Sequence, residues 1–187
     1  MSQAFSKLFW GFLFVIIEIH IIAIDILADP IGYYFIFSGI TLIVHDFPIG
    51  SKAKNLSFVL ILLSIPTIFI QQNTGMDQLG QLPFVIGWPL YMSALGVIKL
   101  ILVFYLFQLI FAIVHQHGDE DLKKRSERTF YIYMIVTFVS MIVSSFAINF
   151  SMEQFMAVAV FVILSGFIIE IAFLALLHSL RKLKIDS

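Results

Sequence analysis

The cations of this chain occupy every second gap between its long apolar stretches, and that alternation constrains the fold more than any motif does. Of the 11 Lys and Arg residues, only Lys99 falls inside such a stretch. About 20 apolar residues are what an α-helix needs to cross a ~30 Å hydrocarbon core. Lys and Arg next to such helices stay on the cytoplasmic side, so their distribution orients the chain. The pattern predicts an all-α, polytopic helical membrane protein with about six transmembrane helices and both the N- and C-termini cytoplasmic.

Composition agrees. The chain is 60% hydrophobic and only 12% charged, with a mean hydropathy of +1.02, whereas soluble domains run at roughly 45–50% apolar and 25% charged. Connections between the spans are too short for a separate water-soluble unit, so residues 1–187 read as a single integral membrane domain. The net charge of −1 conceals a segregation of sign by loop and predicts no nucleic-acid partner. Absence of cysteine excludes disulfides, thiolate zinc sites and cysteine nucleophiles. Lys7 precedes an apolar run that lacks a small-residue cleavage site, which reads as a retained helix.

Six spans are expected. The first runs from about Leu8 to Leu27; the second starts at Pro30 under an Asp29 cap and ends near His45. The third covers Lys52 to Gln71, with a kink expected at Pro66 because its ring removes a backbone donor. Residues 71–81 are a polar loop, and 82–90, broken by Pro83, Gly87 and Pro89, lie at the interface or re-enter. Span four is Tyr91 to His115, followed by a charged connection from Gln116 to Thr129. Spans five and six are Phe130 to Asn149 and Phe155 to His178. Lys7, Lys52, Lys54, Lys123, Lys124, Arg125, Arg128, Arg181, Lys182 and Lys184 then share one side. Asp29, Asp77 and Glu153 mark the other, and Trp10 and Trp88 suit the two interfaces.

Four ionisable side chains fall within the spans: Glu18, Asp25, Lys99 and Glu170. A charge in lipid costs at least ~2.5–3.5 kcal/mol, so each needs a partner, water or neutralisation. At ~1.5 Å per residue, Glu18 and Glu170 lie ~15 Å and ~12 Å from the inner ends of their helices, depths at which they can meet. Asp25 and Lys99 lie ~25 Å from theirs, where they can pair with each other. Spacings of seven and four put Glu18, Asp25 and Asp29 on one helix face. The set lines either a ligand or ion pathway or a buried structural network in which Lys99 snorkels its ammonium to the headgroups.

Other polar features are less specific. His45, His115, His117 and His178 fall at cytoplasmic span ends, and their spacing with Asp46, Asp119 and Glu120 matches no metal motif, so no metal site and no cofactor is expected. His117 to Arg128 places acids before bases, an order that suits a helix macrodipole; it is either a docking surface or a topology-setting loop. Ser140, Ser144 and Ala147 give span five a small-residue face suited to close packing. No zinc-protease, nucleophile-elbow or phosphate-loop motif is present.

The segment Asp25-Ile-Leu-Ala-Asp-Pro-Ile-Gly-Tyr33 resembles a D-I-L-P-D-x-I-G-Y segment in a group of small, uncharacterised bacterial multi-span membrane proteins, departing from it at Ala28 and Pro30. The resemblance implies a bacterial plasma membrane and brings no activity with it. In size and span count the chain is similar to the substrate-binding subunits of energy-coupling-factor vitamin transporters, without a shared motif. The expectation is a non-enzymatic accessory or regulatory component, surrounded by lipid and binding a membrane or cytoplasmic protein partner. The alternative is a small solute or ion carrier, proton-coupled or part of a transporter, using Glu18, Glu170 and Lys99 with residues 83–89 as a gate. An intramembrane enzyme comes third.

Overall fold

A computed structural model describes residues 1–20, 28–68, 87–146 and 149–183, and among these every regular element is helical. Six α-helices follow in chain order: α1 (Ser2–His20), α2 (Ala28–Thr41), α3 (Ser51–Ser64), α4 (Trp88–His117), α5 (Glu120–Ser145) and α6 (Met152–Leu180). Each packs on the next, and α6 packs on α1, so the helices close into a ring. Among the described residues four stretches are long and apolar enough to cross a membrane: Pro48–Thr67, Leu90–His117, Glu120–Ser145 and Glu153–Leu180. Asp25, residues 83–86 of the expected gate 83–89 and Ala147 lie outside the described residues, as do 69–82 and the side chain of Glu18.

Local chemistry explains where the helices begin and end. The α-helical bonds of α3 stop at Ser64 and the chain continues as a 3₁₀ turn over Ile65–Ile68, because Pro66 has no N–H to donate. The carbonyls around it are taken up elsewhere: the Ile65 N–H donates to Leu62 O, the Thr67 hydroxyl to Ser64 O, and the Tyr91 hydroxyl of α4 to Leu63 O. A proline thus becomes a tie between α3 and α4. Helix α6 opens on a capping box in which Ser151 and Gln154 satisfy each other's backbone N–H groups.

Several expected boundaries move: α1 begins at Ser2 rather than Leu8, and Trp88, Pro89 and Leu90, expected at the interface or re-entering, form the first turn of α4. Helix α2 starts at Ala28, so Asp29 and Pro30 belong to its first turn, where a missing N–H is still harmless. The connection expected from Gln116 to Thr129 shrinks to Gly118 and Asp119: the Asp119 side chain accepts from Leu122 N at 2.8 Å and caps α5, whose first turns hold the basic cluster. Gly118 is required there, since a Cβ would stand 2.7 Å from Val114 O.

One end of the bundle gathers the cations. Lys7 donates to Ser38 at 2.7 Å, Lys52 stands 5.2 Å from the Tyr105 ring, and Arg125 donates to Ser179 at 3.1 Å. These contacts join the start of α1 to the end of α2, the start of α3 to α4 and the start of α5 to the end of α6, and Phe47 against His117 adds the end of α4. The half of the bundle nearest this basic end holds the core: Phe5, Leu8, Phe12, Ile36, Ile40, Leu106, Phe107, Ile110, Phe173 and Leu177 are fully buried. Helices α1 and α2 approach closely through glycine. A Cβ on Gly11 would lie 2.7 Å from Gly32 O, and one on Gly32 would lie 2.8 Å from Gly11 O, the small-residue contact that lets backbones touch.

Candidate functional site

Three successive helices bring polar side chains together in the middle of the bundle. Lys99 of α4 donates to Glu170 Oε1 of α6 at 2.8 Å, and the Tyr133 hydroxyl of α5 donates to the same oxygen at 3.0 Å. All three are withdrawn from solvent: the Lys99 and Glu170 side chains are 14% and 10% exposed, and Tyr133 is 2% exposed. An ion pair in so dry a place holds only when extra hydrogen bonds complete it. Tyr133 supplies one. Among the described residues the second carboxylate oxygen, Glu170 Oε2, is buried without a hydrogen-bond partner, a costly omission wherever water is excluded.

The pairing differs from the one that depth counting suggests, in which Lys99 sits well outward of Glu170 and near Asp25. Counting from helix ends treats the ends as level. Phe107 and Phe173 are in ring contact at 5.1 Å, so Lys99 lies five residues, nearly one and a half turns or ~7.5 Å, beyond the level of Glu170. The four-carbon lysine stem spans that offset. At 30 residues, α4 is simply longer than the ~30 Å core requires.

Glu18 lies within α1, and the packing of Phe9 on His178 and Phe12 on Phe173 sets the antiparallel register of α1 and α6. Continuing that register brings α1 residues 15–16 level with Glu170 and position 18 within the next turn.

The surroundings of the cluster differ on its two sides. Toward the basic end it is closed by aromatic rings: Tyr133 meets Phe173 at 5.5 Å and Phe107 at 6.2 Å, and Phe12 backs Phe173 at 4.9 Å. Toward the far end there is space. Gly96 and Gly166, three and four residues before Lys99 and Glu170, have nothing within 4 Å of where a Cβ would stand. A groove of about 370 Å³ runs between α4 and α5, lined by Ser93, Gly96, Thr137, Ser140, Ser144 and Ser145 among others. Thr137 is one turn from Tyr133 and Gly96 one turn from Lys99, so the groove reaches within one turn of both residues. The serines expected to pack α5 tightly therefore line an opening, while the close glycine contact belongs to α1 and α2.

Tyr133 is the residue sequence reading misses. Its one signal is position: it sits mid-span on α5, where a phenol needs a partner when buried. Among the described side chains the histidines do not converge. His45 pairs with its neighbour Asp46, His117 packs on Phe47 and His178 on Phe9. Among the described residues no group of three or more His, Asp or Glu side chains is placed to hold a metal ion. No protein-family model matches the chain, and no curated protein or solved structure matches it either.

Proposed function

We propose that this chain is a non-enzymatic integral membrane protein of six spans, with its basic end and both termini on the cytoplasmic side of a bacterial plasma membrane, and that it binds a small polar solute or ion at Lys99, Tyr133 and Glu170. The observations that carry this reading are the buried carboxylate of Glu170, which among the described residues is held on one oxygen only, and a hydroxyl-bearing groove between α4 and α5 that reaches within one turn of its partners Lys99 and Tyr133. Polar groups at membrane depth mark solute and ion pathways by default. Space on one side and an aromatic plug on the other is the asymmetry a carrier needs when open to one face.

The absence of cysteine makes the test direct. Single variants Thr137→Cys and Ser140→Cys line the groove, and Ile135→Cys on the same helix is 61% exposed but apolar in its surroundings. Maleimides react with thiolates, which need water. The expectation in intact membranes is labelling of Thr137→Cys and Ser140→Cys from the face opposite the basic end, with Ile135→Cys silent. Groove variants as silent as Ile135→Cys would sink the carrier reading. Labelling of Lys124→Cys only after the cytoplasmic face is exposed checks the orientation.

A second reading, attachment of a protein partner, draws on the charged first turns of α5, where Lys124, Glu127 and Arg128 are exposed. Crosslinking from Lys124 in native membranes that repeatedly recovers one protein would favour it.

A further inference from the structure

A second cavity, of about 340 Å³, opens at the basic end between the first turns of α5 and the end of α6. Its lining is Asp119, Asp121, Leu122, Arg125, Ser179, Lys182 and Leu183. The Arg125 guanidinium is anchored at its base by the 3.1 Å bond to Ser179 Oγ, which leaves most of its five N–H donors for another acceptor. Lys182 and Asp121 are exposed and make no ion pair or hydrogen bond among the described residues. Asp119 gives one oxygen to Leu122 N.

Position supplies the next step, and it rests on the membrane placement proposed above. The apolar part of α5 begins at Phe130, so Arg125 stands ~7 Å beyond it. The headgroup layer is about that thick, the difference between a ~30 Å core and a ~40–45 Å bilayer shared by two leaflets. Arg125, Ser179 and Lys182 thus stand where lipid phosphates lie. Asp119 and Asp121 come one to two turns further out along α5. Leu122 and Leu183 offer apolar wall between the two charge signs.

We infer that this cavity seats the headgroup of phosphatidylethanolamine, with the phosphate on Arg125 and Lys182 and the ammonium on Asp121 and Asp119. A purely anionic headgroup such as phosphoglycerol would bring hydroxyls but no positive charge to two carboxylates. Phosphatidylcholine would bring a cation with no N–H to donate. The ethanolamine ammonium has three donors two carbons from the phosphate, and it satisfies both halves of the lining.

The test uses the whole protein, purified in detergent, exposed to equal amounts of phosphatidylethanolamine, phosphatidylcholine and phosphatidylglycerol, and repurified before its retained lipid is counted. Phosphatidylethanolamine is expected to dominate. Loss of one charge-assisted contact in Arg125→Gln or Lys182→Gln should weaken retention about tenfold. Asp121→Asn should keep the phosphate contact and erase the preference for ethanolamine over choline. Lys182→Gln and Asp121→Asn change exposed side chains only, so they report even if Arg125→Gln loosens α5 from α6. Equal retention of the three lipids, a preference for phosphatidylglycerol, or indifference to all three substitutions would overturn the seat alone. Release of the wild-type chain from membranes by an alkaline wash without detergent would overturn the membrane placement, and the seat with it.

Discussion

The two halves of the bundle are built from the same apolar alphabet but use it differently. Near the basic end, Phe12, Phe107, Phe130 and Phe173 interlock, and Gly11 against Gly32 brings α1 and α2 into backbone contact. In the far half, Leu90 is 76% exposed and Phe161 71% exposed, and α5 keeps most of its length at the surface. Packing therefore needs complementary shapes rather than apolar side chains alone. Wherever shapes do not match, exposed apolar surface of this extent calls for lipid or another protein to cover it. The Lys99–Glu170 pair lies at the border, with rings on one side and space on the other.

The largest way to disturb that border is to break the pair from one side. Lys99→Met leaves the Glu170 carboxylate buried beside Tyr133 without a counter-charge, and should cost about 3–5 kcal/mol. The double variant Lys99→Met/Glu170→Leu should recover most of that loss, because no charge is stranded. Reversible unfolding in detergent measures both, and equal losses in single and double variants would show that the pair does not couple α4 to α6.

Glycine substitutions sharpen the contrast between halves. Gly11→Leu drives a side chain into Gly32 O and Ile36 and should cost about 1–3 kcal/mol or more. Gly166→Leu enters open space in the far half and should stay within about 0.5 kcal/mol. Similar melting temperatures for the two variants would erase the distinction drawn here. The smallest effect belongs to the start of α6, where Ser151→Ala removes one arm of the capping box and should cost about 1 kcal/mol. Amide exchange in the first turn of α6 is the readout, and no acceleration there would mean that neighbours hold the far end of α6 more firmly than its exposure suggests.

Much of this was legible in the residues, for identifiable reasons. Apolar runs near 20 residues gave the helices, since backbone groups away from water must bond within their own segment. Pro66 gave the break in α3, and the acid-before-base order of residues 119–128 fitted the start of α5. Glu170 and Lys99 stood out because charges are rare in such runs. Their partnership did not, because helix ends need not be level and a lysine stem can cover more than a turn of offset. Tyr133 was hidden because a mid-span phenol looks like any other aromatic. The serine face of α5 and the glycines of α1 and α2 exchanged roles because small residues permit close approach without forcing it.

What the sequence determined by itself was the helical character and the gathering of positive charge, both properties of a segment and its solvent. Which side chains meet was decided only when six helices closed into a ring. Contact depends on register and rotation between elements far apart in the chain, and no local pattern of residues encodes those.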